Sequence, residues 1–569
     1  MGRSIVLSLK NTQYAPYPPL FKLGVIMSYL RKYSPLHPNQ QQPLDEQQIE
    51  NSAGGYAYPV SIWTNLDRFL ILGTEGGSYY AQEQDLTKEN VDSVKKCIAE
   101  DGVKVVERIR EISVSGRAPK NDPALYALAL AFTHGNTATK QKVNEVFCDV
   151  ARIGTHLFNF VAFLDGMRGW GRSVRRLIGE WYRTKDDAAL TYQVLKYQSR
   201  NGWRHADVLA KCHYGENRGI YRWMKGLDTD KRVVQRGTID GTQISTTYDA
   251  TDALPALLSG YEELKHTTKR ADVIKLIETH EFTHEMVPNA WKNETDVWAA
   301  LLENMPVMAT VRNLGKMTQV GLLKPFASEV QTVLERLTAD IIRRSLIHPI
   351  QILMALITYR SGKGVRGSLT WEPVPQIVDA LDAAFYMAFE NIEPSEKNTL
   401  LALDVSGSMG RGVVAGCNGL TPRNASAAMA LVTARTEPNY GIFGFSDKFV
   451  NLPIAAEDNL TSAIEKVSGL PMRRTDCALP MLYAIENKLD VDIFIIYTDN
   501  ETWYSDIHPK TALDMYRQES GRAAKCAVVG MVANKFSIAD PKDTGMMDFV
   551  GFDTATPTVL SDFAKDADI

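Results

Sequence analysis

Cysteine is scarce and scattered. The six residues (Cys97, Cys148, Cys212, Cys417, Cys477 and Cys526) never fall in a C-x-x-C pair. That spacing argues against zinc ribbons and against a secreted disulfide framework, and leads us to expect a reducing, cytoplasmic setting. No apolar run approaches the ~20 residues of a membrane span. The mildly apolar stretch from Leu20 to Leu30 is interrupted and flanked by Lys22, Arg31 and Lys32 and lacks a clear cleavage site, so no signal peptide is expected. The chain also has no G-x-S-x-G and no cysteine in a nucleophile signature. Its glycine-rich stretches, Gly73–Gly77 and Gly362–Gly367, neither follow an apolar strand nor end in G-K-[ST]. Nucleotide binding at those loops is therefore not expected.

What is present is a long chain with two textures. Its 569 residues, 44% hydrophobic and 23% charged, suffice for two to four globular domains. Residues 1–42 are rich in Pro, Tyr, Asn and Gln and read as a loosely ordered extension. Over 43–394, apolar residues recur every three or four positions, as in Asp122 to Thr133 and Thr295 to Leu302, with Gly, Pro and Asn at the breaks. Many short helices in series predict an α-helical repeat array. Over 395–569, strands alternate with helices. Strands are expected at Leu400–Asp404, Tyr440–Phe445, Ile493–Thr498 and Cys526–Val532, and helices near Ala425–Arg435, Ala478–Lys488 and Pro509–Gln518. That order predicts an α/β domain with a doubly covered, mostly parallel sheet.

Charge divides the same way. Gly166 to Lys225 holds 13 Lys and Arg against five acids, a balance of +8. From Ser395 onward, 16 basic residues oppose 23 acidic ones, giving −7. A concentrated cationic zone attracts polyanions. Within it, Arg172, Arg175 and Arg176 share one helical face at i, i+3 and i+4. Lys196, Arg200, Arg204, His205, Lys211 and His213 follow, interleaved with Tyr197 and Trp203. Cations beside aromatics suit RNA, whose phosphates meet the charges and whose unpaired bases meet the rings. The competing reading is a solvated helix face with Trp170, Trp181 and Trp203 as core.

Near the α/β domain's start, the strand Thr399–Asp404 runs into a loop bearing Ser406 and Ser408, a D-x-S-x-S pattern. Alternation points Asp404, Ser406 and Ser408 one way, and Thr475 and Asp499 occupy suitable strand-end positions further on. Three hydroxyls and two carboxylates are hard oxygen donors, which favour Mg²⁺ or another divalent cation. The pattern resembles the metal-ion-dependent adhesion site of von Willebrand factor A domains. That likeness implies that the hydroxyls touch the ion and that the aspartates act mostly through water. The alternative is a set of strand-end caps and turn formers.

A different motif points to catalysis. His280-Glu281-Phe-Thr-His284 spells H-E-x-x-H, which on one helix presents two imidazoles to zinc with a glutamate as base. Glu294 or Glu303 is the candidate third ligand, although Pro288 interrupts any helix four residues on. A metal-dependent hydrolase or nuclease and a protein-only scaffold are thus the alternatives to RNA binding.

Several segments together are similar to a known family. They are Arg68-Phe69-Leu70 with Gly73 to Tyr80, Gly154 to Phe158, Arg200 to Trp203, Arg312 to Thr318, Ile347 to Pro349 and Leu381 to Tyr386. Thr475 to Cys477, Thr498 to Thr502 and Ile538 to Pro541 complete the set. In this order the chain resembles the TROVE module and von Willebrand A domain of the Ro 60 kDa ribonucleoprotein family, from about Pro43 to Ile569. The resemblance implies a ring of HEAT-like helical repeats joined to a Rossmann-like α/β domain, in a protein that is not an enzyme. It implies small noncoding Y RNAs on the outer ring surface, single-stranded 3′ ends of misfolded RNAs in its hole, and partnership with an exoribonuclease. A monomer without membrane attachment is expected. Two features depart from the family pattern: Arg473-Arg474 precedes Thr475, and residues 1–42 match nothing in it.

Overall fold

The computed structural model describes residues 37–74, 83–213, 219–226, 233–239, 242–248, 254–365, 367–389, 392–414, 419–470 and 474–565. Helices run from Ile62–Leu72 to Pro375–Met387, packing mostly against helices one or two places away in the sequence. Their starts follow local chemistry. Asn136 and Asp186 accept the backbone N–H of Thr139 and Ala189, and Pro123 occupies a first turn where its missing N–H costs nothing. Glu83–Val114 is two helices joined at Asp101, whose φ of −150° and ψ of 87° break the ladder.

The array closes on itself. His348 lies just before helix Pro349–Arg360, and its Nε2–H donates to Arg117 O (3.1 Å) and to Phe552 O (3.0 Å). Gln351 Nε2 donates to Pro119 O at 2.7 Å beside it. Residues 117–119 lie near the array's beginning and 348–351 near its end, so the helices form a circuit. Phe552 belongs to the α/β domain, which is docked at the closure. There Arg117 also binds Asp553.

The α/β domain contains a six-stranded sheet in the order Met546–Val550, Lys525–Gly530, Ile493–Thr498, Thr399–Asp404, Tyr440–Phe445, Phe449–Asn451. All neighbours are parallel except the last pair. Alternate residues face opposite layers. Leu401, Leu403, Ile495, Tyr497, Ala527 and Val529 join a core shared with helix Pro422–Thr436 and the helical array. Leu400, Ala402, Phe494, Ile496, Cys526 and Val528 pack under helices Leu479–Glu486 and Pro509–Ser520. Both faces are covered, which is why these strands are apolar throughout.

The described part of the N-terminal extension corrects the expected boundary. Gln40 is fully buried, and its Nε2 donates to Ile507 O at 2.9 Å. Strands Ile49–Glu50 and Tyr56–Pro59 continue into Phe536–Ser537 of the α/β domain. Residues 39–59 thus belong physically to the C-terminal domain.

Closure through His348 makes the fold acid-sensitive. Burial holds its imidazole down to about 4, from an ordinary 6.5. The neutral ring therefore contributes its full stability above about pH 6.5 and loses it as pH falls toward 4, a swing of about 3 kcal/mol. His156 and His205 are held down to about 4 for the same reason and add to the loss. Urea unfolding across that range should show the His348→Gln variant less stable at neutrality but less pH-dependent than the parent. Equal slopes would remove His348 from the account.

Candidate nucleic-acid and metal sites

Helix Arg172–Arg183 buries Val174, Leu177, Ile178, Trp181 and Tyr182 and leaves Arg172 and Arg176 exposed, with Arg175 half-buried. The three arginines share one face because the opposite stripe is core. This helix packs on His205–Cys212, which ends in exposed Lys211 and His213. Between the two helices in sequence lies the hairpin Ser199–Arg200 and Trp203–Arg204. Its turn residues Asn201 and Gly202 have φ of 50° and 79°, as an Asn-Gly hairpin requires. Arg200 and Arg204 project from it into solvent, although Arg204 is held by Asp207 at 3.2 Å. Arg172, Arg176, Arg200 and Lys211 make no ion pair with a described residue. The half-buried Lys196 donates from Nζ to Tyr192 Oη at 3.0 Å.

The aromatics divide between the two readings. Trp181 is fully buried, so it is core. Trp170 and Trp203 are only partly covered and lie 5.7 Å apart between ring centroids, beside the exposed arginines. His205 corrects the expected contact set. It is 3% exposed, stacks between Phe158 and Trp181, and shares hydrogen bonds with Tyr182 Oη (2.9 Å) and Tyr197 O (3.0 Å). A neutral core histidine follows from that surrounding, and RNA cannot reach it without unfolding the helix.

The H-E-x-x-H segment does not form a zinc helix. Helix Arg270–His280 stops before the glutamate, and Glu281 turns left-handed at φ 51° as its C-cap. His280 stacks on Phe282, while His284 lies against Trp298 and Asn313. Glu294 is engaged by Arg270. No group of three or more His, Cys, Asp or Glu side chains suited to a metal occurs among the described residues.

The oxygen-rich set, by contrast, comes together. Strands Thr399–Asp404 and Ile493–Thr498 are neighbours, so Asp404 and Asp499 emerge side by side at their carboxyl ends. Ser406 Oγ and Ser408 Oγ are 3.0 Å apart, and Ser408 also bonds Asp499. The Asp404 carboxylate accepts from Ser406 N and Thr498 Oγ1, both at 2.8 Å. Thr475 lies on a loop whose carbonyl accepts from Trp503 N and Tyr504 N, just past Asp499. Its own Oγ1 is buried without a partner. An orphaned buried hydroxyl, on a loop tied to the segment that follows Asp499, is a donor that fits a hard cation. Burial, then the neighbouring Asp499, pushes Asp404 up to about 7. Burial raises Asp499 too, and burial with Asp499 beside it raises Glu501 to about 9.

Three participants escaped sequence reasoning. Thr498 orients Asp404, and its position one residue before Asp499 is a signal legible in hindsight. Glu501, buried beside Asp499, accepts Ala53 N at 3.1 Å. Asn534 Nδ2 donates to Asp499 O, and nothing in the sequence near Asn534 announces it. Arg474 lies over the rings of Tyr504 (4.5 Å) and Trp503 (5.6 Å), so its charge is held at the rim by aromatic faces. Arg473 falls outside the described residues.

Known proteins share this whole arrangement. A TROVE domain family model matches residues 49–358, and a Ro60 vWA domain model matches 398–564. An RNA-binding protein RO60 of Deinococcus radiodurans is 42% identical over 541 residues, covering 94% of this chain and 99% of that protein. One from Caenorhabditis elegans is 35% identical over 591 residues, covering 92% and 91%. The crystal structure of the Deinococcus radiodurans RO (RSR) protein aligns with a TM-score of 0.64 at 39% identity, spanning 89% of this chain and 99% of that one. A closed helical array carrying a von Willebrand A-type α/β domain, matched over most of its length by these relatives, belongs to the Ro60 family.

Proposed function

We propose that this protein binds RNA without cutting it, through the cationic surface of its helical array. The observation that carries the reading is the exposure of Arg172, Arg176, Arg200 and Lys211 on contiguous elements, beside the partly open Trp170 and Trp203. Phosphates on such cations supply most of the affinity, and unpaired bases find the rings. The relatives named as RNA-binding proteins support the same reading. More finely, the RNAs are small noncoding Y-type molecules and the single-stranded 3′ ends of misfolded or damaged RNAs. Selection is steric, because a folded RNA hides its end and a defective one offers it. The protein then serves RNA quality control in the cytoplasm as a monomeric adaptor for an exoribonuclease.

Asp404, Ser406, Ser408, Thr475 and Asp499 hold Mg²⁺ or a similar cation in this reading. Such an ion, when bound, would supply a Lewis-acidic point that a partner protein's carboxylate could ligate. The chain's own residues orient that point: Thr498 and the Ser406 backbone fix Asp404, and Ser408 fixes Asp499.

Filter binding of labelled RNA at two salt concentrations tests the RNA reading. Replacing Arg172, Arg175 and Arg176 with Gln should weaken binding and reduce the slope of log affinity against log salt by about 0.7–0.9 for each phosphate no longer neutralised. His205→Gln should lower thermal stability, since it opens a packed buried network, yet leave the slope unchanged for the fraction that folds. Parent-like affinity in the triple variant removes the assigned surface. For the metal, Thr475→Val deletes a buried hydroxyl that has no partner. In chelator-treated protein it should be neutral or stabilising by up to about 1 kcal/mol. The same variant should lose the rise in melting temperature that added Mg²⁺ gives the parent. A variant that still responds to Mg²⁺ as the parent does would falsify the role of Thr475.

A further inference from the structure

Outside the basic zone, one more segment combines cations with an exposed aromatic ring. Helix Val307–Gln319 buries Val307, Thr310, Val311, Leu314 and Met317 and turns Arg312 into solvent, with Asn313 and Lys316 half-buried. Between Val307 and Ala327 the chain carries Arg312, Lys316 and Lys324 and no acid. Lys316 Nζ bonds neutral oxygens, Asn293 Oδ1 and Gln319 Oε1, each at 2.8 Å. Arg312 and Lys324 make no ion pair with a described residue. The tract extends toward the basic zone: Asn313 contacts His284 at 3.4 Å, and His284 lies 3.1 Å from Glu285 and feels the charges of Lys292, Lys196 and Arg312. Glu285 is the acid that bears on Lys292. Burial holds the ammonium groups of Lys292 and Lys316 below their ordinary range.

The loop after this helix ends in an unusual turn. Ala327 N donates to Lys324 O at 3.0 Å, closing Lys324-Pro325-Phe326-Ala327. Pro sits at the second position, as type I and II turns favour, and Phe326 at the third has φ of 67°. That conformation suits Gly or Asn, and a bulky side chain there is strained. The strain brings no burial, because Phe326 is 92% exposed. A glycine would close the same turn and put no phenyl ring in water. The fold therefore gives no reason for the ring, and Lys324 in the same turn, after an acid-free helix bearing Arg312 and Lys316, indicates what covers it. The nearest following acid, Glu329, is engaged by Ser328 Oγ at 3.0 Å.

We infer that Phe326, with Arg312, Lys316 and Lys324, forms a second RNA contact, in which an unpaired base stacks on the ring and its flanking phosphates meet the cations. This deepens the RNA-binding reading and rests on it. A phenyl face accepts any base, so the contact prefers single strands and is indifferent to sequence. A duplex keeps its bases stacked on one another and gains only the charges.

The test uses the full-length protein with a fluorescent single-stranded oligouridylate and with a fully paired RNA duplex. Phe326→Gly should weaken oligouridylate binding about tenfold or more, leave duplex binding unchanged, and keep or raise the melting temperature because the turn strain is relieved. Replacing Arg312, Lys316 and Lys324 with Gln should weaken both RNAs and flatten the salt dependence. If the parent binds oligouridylate and Phe326→Gly binds it equally well, the second contact is wrong while RNA binding stands. If the parent binds neither RNA, both readings fall. A change in sedimentation on Phe326→Gly, with unaltered RNA affinity, assigns the ring to contact between protein copies and overturns the inference.

Discussion

One buried imidazole ties both ends of the helical array to the α/β domain. His348 and Arg117 are 231 residues apart, and closing a flexible loop of that length costs about 5 kcal/mol in chain entropy. The cost rises only slowly with length, so a few well-made contacts offset it. His348 supplies two hydrogen bonds as donor and accepts a third from Ile350 N. Gln351 adds one to Pro119, and Arg117 reaches Asp553 with Nη2 at 2.5 Å. All converge within a few residues, and removing one donor strands several buried acceptors at once. Ring and α/β domain are therefore held by a common joint and cannot be loosened separately.

A second joint links the array to the oxygen-rich site. Arg68, on the first helix, is fully buried, and its guanidinium donates to Asn534 O, Asn534 Oδ1, Phe536 O and Asp548 Oδ1. Asn534 in turn donates to Asp499 O. A side chain near the start of the helical array thereby orients the strand end that carries a candidate metal ligand. Truncating Arg68 would leave buried carbonyls without this donor and Asp548 with only the Ser537 hydroxyl, a loss of about 3–5 kcal/mol in comparable buried pairs. Gly530 lies against this guanidinium, and an added Cβ would meet Arg68 Nη2 at 3.0 Å. From the other side, Gln40, Asn51 and the Ala53 N–H hold the loop from Glu501 to Ile507. The sequence boundary near residue 394 marks a change of texture, while the physical contact runs across it in several places.

The parts legible in the sequence are those written in local periodicity. The Tyr440–Phe445 and Ile493–Thr498 strands match expectation to the residue, and the Asp122 and Thr295 helices start where their sequences place them. Asp404, Ser406 and Ser408 converge because strand alternation is a local property. What escapes reading depends on distant partners. Met546–Val550 reads weakly as a strand because it contains the charged Asp548 beside an exposed Met547, yet it pairs with Lys525–Gly530 along its length. Gln40 reads as part of a polar tail, and only Thr502, Ile507 and Asp476 make it a core residue. His205 stands in a basic run with the right neighbours for RNA, but its helix turns it onto Trp181. The H-E-x-x-H string fails because a left-handed Glu281 ends the helix between its two histidines, and spacing alone carries no record of φ.

The hydrogen bonds at the oxygen-rich site hold its carboxylates in fixed orientations, which suits the cation binding proposed for it. At Asp404 one oxygen is taken by the Ser406 N–H and the other by the Thr498 hydroxyl. Asp499 is occupied by Glu501 N and Ser408, and Asn534 fixes its backbone. Carboxylates oriented in this way are rigid supports, each keeping lone pairs for a further contact. The hydroxyl left without a partner, on Thr475, is a weak acid and a good hard ligand. The same economy governs the helical array, where Arg172, Arg176, Arg200 and Arg312 are fixed on packed helices or a tight hairpin and left unpaired among the described residues. Rigid elements that present unneutralised cations bind a polyanion with little ordering cost. Grip on RNA at the array's surface requires no reacting group.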